Sequence, residues 1–362
     1  MVRRWLFTLF LVLTPTAAFA QAPVPEIKAD ANVDFLKPTP DLHFGEVSGV
    51  AVNSKGHVFV FSRGNTTGPA YGATAAQLLE FGRDGKFIRE IGKNLYAWSY
   101  AHTVRIDKDD NIWAVDKGSD MIIRFNPEGR VTMVFGRKKE ASDEAVPWTR
   151  VNPPRPAVDG LFRQPTDVTW DTEGNIFISD GYINSRVAKF DKNGAWVKQW
   201  GDRGTKPGEF NTPHSIAADA KGNIYVADRG NRRIQVFDPN GTFIRAMTID
   251  VPFDPATRPA QGNMPSPEAA AAQNGAPWAI CITPGPNQVL FSSDAYPGRL
   301  YKLTLEGKVL GVVGKSGKQP KQFGWIHEIA CPSENEVYVA ELLNWRVQKL
   351  TLHPEPRQLS SR

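Results

Sequence analysis

The chain has 362 residues, of which 41% are hydrophobic and 10% aromatic, and it contains 31 glycines. These values exclude an intrinsically disordered protein and favour a globular, turn-rich β protein. The formal net charge of +5 comes without a run of basic residues, which argues against an extended nucleic-acid-binding patch.

The first twenty residues predict a secretory signal peptide. Arg3 and Arg4 precede an apolar run at 5–13, and Ala18-Phe19-Ala20 is a small-x-small cleavage sequence. The apolar run is too short for a membrane span. We therefore expect cleavage near Ala20 and a secreted or periplasmic mature chain with no membrane span.

Six segments share an alternating apolar and aromatic pattern that usually ends in an acidic residue. They are residues 57–62, 111–116, 175–180, 223–228, 288–294 and 336–341. Around them, further short strands of period two are separated by Gly, Asn and Pro turns, as in an antiparallel meander. Four strands repeated six times predict an all-β fold, a six-bladed β-propeller of four-stranded antiparallel blades over residues 45–352.

The two ends of the repeat region predict how the ring closes. The sixth repeat lacks a fourth strand, whereas residues 32–36 form a spare strand candidate within the N-terminal segment 21–44. We expect this strand to complete the last blade and remove two exposed sheet edges. Residues 353–362 form a polar C-terminal tail.

The sequence contains two cysteines, Cys281 and Cys331. In an oxidising compartment they are able to form a disulfide, but buried reduced cysteines also pack as small hydrophobic residues. The sequence leaves both states open.

Three histidines occupy one equivalent position in alternate repeats. His102, His214 and His327 each lie nine residues before a repeat segment, where the innermost strand of a blade begins. This end of the blades also carries the long predicted loops, and long loops on one face of a rigid scaffold are typical of functional sites. Three converging imidazoles with an open fourth position are typical of catalytic zinc, although other divalent transition metals also bind imidazole. The alternative is that each histidine only satisfies its own strand end.

Four motifs resemble those of the peptidyl-α-hydroxyglycine α-amidating lyases, a family of propellers with NHL-like repeats. They are Gln-Pro-Thr-Asp-Val from Gln164, Ser-Asp-Gly-Tyr-Ile-Asn-Ser-Arg from Ser179, Pro-His-Ser-Ile from Pro213 and Ala-Asp-Arg-Gly-Asn-Arg-Arg-Ile-Gln from Ala227. The similarity extends over all six repeats and is greatest between residues 164 and 236.

The resemblance implies that the three histidines bind zinc. It further implies that Tyr182 is catalytic, and that Arg63 and Arg229 face the substrate, with Arg63 also taking part in catalysis. The implied reaction removes the hydroxyl proton of a carbinolamide and expels an amide, leaving glyoxylate. Zinc lowers the pKa of such a hydroxyl, a tyrosine oxygen serves as general base, and the guanidinium fork matches a carboxylate.

The resemblance also implies a structural calcium ion near the propeller axis. Glu328 matches the acidic ligand of that site, and the carbonyl groups of Val50 and Val104 match its other donors. This chain departs from the family in three ways: Glu328 replaces an aspartate, Trp325 replaces a methionine, and Ile183 and Val236 stand where the family has cysteines.

The favoured interpretation is a secreted, metal-dependent lyase that cleaves a peptidyl or N-acyl α-hydroxyglycine. One alternative is a metal-dependent propeller hydrolase such as a lactonase, although those enzymes usually build their metal centre from Asp, Asn and Glu. Another is a non-catalytic NHL-repeat scaffold that binds a peptide, glycan or protein. We expect a monomer whose partner is a small-molecule or peptide substrate and not a nucleic acid.

Overall fold

The computed structural model describes residues 24–64, 76–139 and 151–353. The predicted signal peptide at 1–20, most of the tail and parts of two predicted long loops lie outside these residues. The described chain folds into six four-stranded antiparallel sheets, with strands that follow one another along the chain. This confirms the predicted six-bladed β-propeller.

The strands are numbered in chain order, and β1 (Lys28–Asn32) precedes the first blade. Blade 1 contains β2 (Glu46–Val52), β3 (Val58–Arg63), β4 (Gln77–Phe81) and β5 (Phe87–Ile91). Blade 2 contains β6 (Ala101–Ile106), β7 (Ile112–Asp116), β8 (Met121–Phe125) and β9 (Val131–Phe135). Blade 3 contains β10 (Asp167–Trp170), β11 (Ile176–Asp180), β12 (Arg186–Phe190) and β13 (Trp196–Trp200).

Blade 4 contains β14 (Pro213–Ala218), β15 (Ile224–Asp228), β16 (Arg233–Phe237) and β17 (Phe243–Met247). Blade 5 contains β18 (Ala279–Ile282), β19 (Leu290–Ser293), β20 (Leu300–Leu303) and β21 (Val309–Val313). A short parallel pair follows, β22 (Lys315–Ser316) with β23 (Gln322–Phe323). Blade 6 contains β24 (Ile326–Ser333), β25 (Glu336–Glu341) and β26 (Arg346–His353), and β1 is its fourth strand.

The first strands of neighbouring blades contact one another around the axis, and β2 contacts β24 to close the ring. β1 pairs antiparallel with β26, with Lys28 opposite His353 and Asn32 opposite Lys349. The closing strand is therefore present, but it lies four residues before the predicted 32–36. The pairing ends at Asn32, and Phe35 beyond it packs edge-on against Tyr338, with ring centroids 5.8 Å apart.

The hydrophobic cores lie between adjacent blades. Phe61 of blade 1, for example, belongs to the same core cluster as Trp98, which precedes blade 2, and Val104, which lies in blade 2. The Phe61 and Trp98 ring centroids are 5.0 Å apart. Because every blade is packed on both faces, the inner strand ends form a rigid platform around the axis.

A disulfide joins Cys281 of β18 to Cys331 of β24, so the two cysteines link the inner strands of blades 5 and 6. Outside the blades, the helix α1 (Pro267–Gln273) begins at Ser266, whose hydroxyl accepts a hydrogen bond from the Ala269 amide at 3.2 Å. Within the described residues, no helix has the length and apolar character needed to cross a membrane.

Candidate metal centre and active site

A β-bulge in each inner strand orients the three histidine side chains. In β6, β14 and β24 the pairing with the second strand shifts register at one residue, and that residue is His102, His214 or His327. Such a bulge leaves its extra residue out of the ladder and redirects the side chain. All three side chains are buried, and their ring centroids are 4.6–5.0 Å apart. The predicted convergence is thus a feature of the structure.

Each histidine is oriented by a backbone carbonyl group of the next blade. The Nδ1 atoms of His102, His214 and His327 lie 2.6, 2.7 and 2.7 Å from the carbonyl oxygens of Thr166, Trp278 and Ser48 respectively. A carbonyl oxygen only accepts hydrogen bonds, so each Nδ1 carries the proton and each Nε2 keeps its lone pair. Metal-binding histidines are commonly held in this way.

The chemistry of the cluster suits a transition metal. The candidate ligand atoms of the three histidines all lie within 4.8 Å of one another. Burial lowers the pKa of each imidazole well below its ordinary value, and the neighbouring histidines and cationic side chains lower it further. The neutral imidazole that results is the form that binds a metal ion. The three residues therefore fit a divalent transition metal with nitrogen ligands.

Tyr182 lies against this cluster, in the turn between β11 and β12. Its hydroxyl oxygen is 3.2 Å from Nε2 of His102 and 3.0 Å from Nε2 of His214. The turn is held by Asp180, whose carboxylate accepts hydrogen bonds from Asn184 at 2.6 Å and from the buried Arg186 at 3.0 Å. The structure thus brings the predicted catalytic tyrosine to the predicted metal ligands.

The two predicted arginines lie on the same side of the histidines. The Arg63 guanidinium stacks on Tyr100 at 4.0 Å from the ring centroid and pairs with Glu46 at 2.5 Å. The Arg229 guanidinium stacks on Trp278 at 3.9 Å and lies 5.6 Å from the Tyr182 centroid. Both are close enough to the histidines to lower their pKa values.

Lys117 is a third cation at the site, and it was not predicted from the sequence. Its ammonium lies 4.0 Å from the Tyr182 ring centroid and 5.3 Å from that of Tyr100. Burial, together with the positive charges of Arg63 and Arg229, lowers the pKa of Lys117 to about 7. The repeat pattern does indicate Lys117, because it shares a position with the two arginines. Arg63 ends the second strand of its blade, and Lys117 and Arg229 directly follow the second strands of theirs.

Two tryptophans form an aromatic wall beside the histidines. Trp278 lies 4.7 Å from the His214 ring and 4.9 Å from the Trp325 ring. Trp325 has a φ of 65°, a conformation that is costly for a bulky residue. Comparison with the family motifs pointed to Trp325 but not to Trp278.

The predicted calcium ligands do not fit a calcium ion in this structure. Oε1 of Glu328 lies 2.9 Å from Nη2 of Arg105, so this carboxylate binds a guanidinium. Val50 and Val104, whose carbonyl groups were the other predicted donors, lie in the inner strands β2 and β6. A calcium ion requires a shell of oxygen ligands, and a cation already beside its acidic ligand repels it.

Fold and site together define a six-bladed β-propeller with a buried three-histidine centre. A family model described as a 6-bladed β-propeller matches residues 159–264. Peptidyl-α-hydroxyglycine α-amidating lyase 1 of Drosophila melanogaster is 26% identical over 344 residues, which cover 86% of this chain and 58% of that protein. Peptidyl-glycine α-amidating monooxygenase of Mus musculus is 30% identical over 240 residues, covering 59% of this chain and 23% of that protein.

These similarities confirm the resemblance seen in the motifs: the chain is a β-propeller similar in sequence to the peptidyl-α-hydroxyglycine α-amidating lyases. It spans less than two thirds of the length of both relatives. Among solved structures, a streptogramin B lyase superimposes with a TM-score of 0.54 at 14% identity, over 90% of this chain and 98% of the other. A gluconolactonase from Xanthomonas campestris gives 0.54 at 12% identity, over 86% and 88%. At these identities the two structures establish the fold alone.

Proposed function

We propose that this protein is a metal-dependent lyase that cleaves a peptidyl or N-acyl α-hydroxyglycine to an amide and glyoxylate. The observation that carries the proposal is the position of the Tyr182 hydroxyl, within 3.2 Å of two of the three converging histidines. The relatives named for this activity support the choice of reaction.

His102, His214 and His327 would hold zinc or another divalent transition metal through Nε2. When bound, such an ion polarises a hydroxyl oxygen and lowers its pKa, which favours loss of the substrate's hydroxyl proton. The bonds from Nδ1 to the carbonyl groups of the neighbouring blades keep the three imidazoles aimed at one point.

Tyr182 would move the proton. In this elimination the carbinol O–H bond and the C–N bond break, a C=O bond forms, and the departing amide nitrogen gains a proton. Acting as a phenolate, the tyrosine oxygen would accept the hydroxyl proton and then pass the same proton to the nitrogen, so the side chain returns to its starting state and the reaction needs neither an oxidant nor a reductant.

The cationic side chains would bind the carboxylate at the glyoxylate end of the substrate. A guanidinium stacked on an aromatic ring presents its N–H donors in one plane, which is the geometry that binds a carboxylate through two hydrogen bonds. Arg63 on Tyr100 and Arg229 on Trp278 both have this arrangement. Lys117 lies near the rings of both tyrosines at the site and adds a third positive charge.

The proposal includes a secreted or periplasmic location. The disulfide between Cys281 and Cys331 supports an oxidising environment, as expected for a secreted or periplasmic protein. A monomer acting on a small-molecule or peptide substrate is the state we propose.

The proposal is tested by glyoxylate release from an N-acyl-α-hydroxyglycine. Purified protein, loaded with zinc, should release glyoxylate and the amide in equal amounts, well above the rate in buffer. The His214→Ala variant should lose both bound metal and activity. His57→Ala is the matched control, because His57 bonds to Glu80 at 2.7 Å and takes no part in the cluster.

Three outcomes would overturn the proposal. Folded, metal-loaded protein without glyoxylate release would exclude the lyase. Hydrolysis of a lactone by the same preparation would favour the hydrolase. Failure to retain any transition metal would favour a binding scaffold.

A further inference from the structure

Arg105 ties five blades together at the propeller axis. It belongs to β6 of blade 2, and its side chain is only 13% exposed. Its Nε and Nη2 atoms lie 2.9 and 2.5 Å from the two carboxylate oxygens of Asp167 in blade 3. Nη2 also lies 2.9 Å from Glu328 of blade 6, 3.1 Å from the Ser215 hydroxyl of blade 4 and 3.2 Å from the Ile280 carbonyl of blade 5.

The atoms around this guanidinium are those that usually surround a hard metal ion. Two carboxylates, a hydroxyl group and a backbone carbonyl converge on one positive charge, and oxygen donors of these kinds form calcium sites. Burial by itself lowers the pKa of Arg105, but the attraction of Asp167 and Glu328 outweighs this effect and raises the pKa above its ordinary value. The guanidinium is therefore a permanent cation at the axis.

The partners of Arg105 are also the neighbours of the histidine centre. Glu328 directly follows His327, Ser215 directly follows His214, and Asp167 directly follows the residue whose carbonyl group holds His102. A cation that fixes these three residues also fixes the strand ends that aim the imidazoles.

We infer that the Arg105 side chain is a built-in replacement for an axial divalent cation. It neutralises the buried carboxylates and joins the inner strands beneath the histidine centre without calcium. The inference does not depend on the lyase reaction, because it concerns the stability of the ring.

The inference predicts a latent metal site. Truncation of Arg105 to alanine removes the guanidinium and leaves Asp167 and Glu328 facing the space it filled. Burial and the neighbouring Asp167 raise the pKa of Glu328, but a bound divalent cation favours the ionised form of both carboxylates, and the hydroxyl and carbonyl groups supply further oxygen ligands. Arg105→Ala should therefore gain calcium binding that the native protein lacks.

The test compares thermal unfolding in calcium-free buffer and in millimolar calcium, with zinc present throughout. The native protein should show the same Tm in both buffers and should retain no calcium after dialysis. Arg105→Ala should lose at least about 5 °C in calcium-free buffer, because breaking a buried ion pair leaves charges uncompensated. Calcium should restore at least half of that loss, with about one ion bound per chain.

Two further variants separate cation replacement from general destabilisation. Arg186→Ala removes another buried arginine, whose partner Asp180 lies at the end of a second strand, so calcium should not restore its Tm. Arg105→Lys keeps a positive charge and should be insensitive to calcium. Bound calcium or a calcium-dependent Tm in the native protein would overturn the inference. So would an Arg105→Ala protein that calcium fails to stabilise or to fold.

Discussion

The hydroxyl oxygen of Tyr182 lies 3.0 Å from Nε2 of His214, which joins the proposed proton carrier to a proposed metal ligand. The two residues come from different blades, the tyrosine from a turn of blade 3 and the histidine from the first strand of blade 4. Their contact depends on the packing of blade 3 against blade 4, which brings that turn over that strand end.

Replacement of Tyr182 by phenylalanine separates proton transfer from metal binding. The ring and its contacts with Lys117 and Arg229 remain, but the hydroxyl oxygen is lost. We expect kcat to fall by about 10²- to 10⁴-fold, the usual contribution of a general base. Elemental analysis should show unchanged metal content. The exposed Tyr96 provides a control, since Tyr96→Phe should leave kcat unchanged. Activity close to that of the native protein in Tyr182→Phe would exclude the tyrosine as base.

Metal removal should affect stability as well as activity. A metal ion that binds only the folded state stabilises that state by mass action. Chelation should therefore lower the Tm, and added zinc or cobalt should restore the Tm. The decrease in Tm and the decrease in glyoxylate release should both be proportional to the amount of metal removed per chain. His327→Ala should resemble the metal-free protein and show no response to zinc. A Tm that is indifferent to chelation would place the metal, if any, outside the histidine cluster.

The lowered pKa of Lys117 predicts that kcat/KM depends on pH. Its pKa of about 7 makes the side chain charged below that pH and neutral above it, whereas the substrate carboxylate, with a pKa of about 3.5, stays anionic throughout. The contribution of Lys117 to kcat/KM should therefore be full at about pH 6 and decline as pH rises through 7, since kcat/KM reports the free enzyme.

Comparison with Lys117→Met isolates this contribution. The ratio of kcat/KM between the native protein and Lys117→Met should be about 10- to 100-fold at low pH, the value of a charge-assisted hydrogen bond, and should approach one at high pH. Effects of other titrating groups cancel in the ratio. Lys117→Arg keeps its charge and should show no such decline. If the ratio of the two kcat/KM values does not change with pH, the Lys117 ammonium does not bind the substrate carboxylate.

The disulfide between Cys281 and Cys331 should stabilise the junction of blades 5 and 6. It closes a loop of 50 residues between two inner strands, and such cross-links typically contribute about 2–4 kcal/mol to the free energy of unfolding. The Cys281→Ala, Cys331→Ala double variant should lose about that amount in denaturant titrations. Reduction should destabilise the native protein equally and leave the variant unchanged. An equal response of both proteins to the reductant would mean that the cross-link is not the cause.

The sequence by itself determined the architecture and the histidine positions. Strand alternation and turn residues are local signals, and six repetitions of them define the blades even where single strand ends are misplaced. The constant spacing of nine residues then places His102, His214 and His327 at one end of alternate inner strands. Tyr182 and Arg229 followed from motifs that lie within single blades, and Arg63 from the resemblance to the lyase family.

Only the tertiary structure decided the contacts between blades. Arg105 and Glu328 are separated by 223 positions, and the fold makes them an ion pair at a place where the motifs implied calcium. The two cysteines, from blades 5 and 6, meet for the same reason. These contacts depend on the distance between side chains of different blades, which ring closure sets and which the pattern within a repeat does not encode.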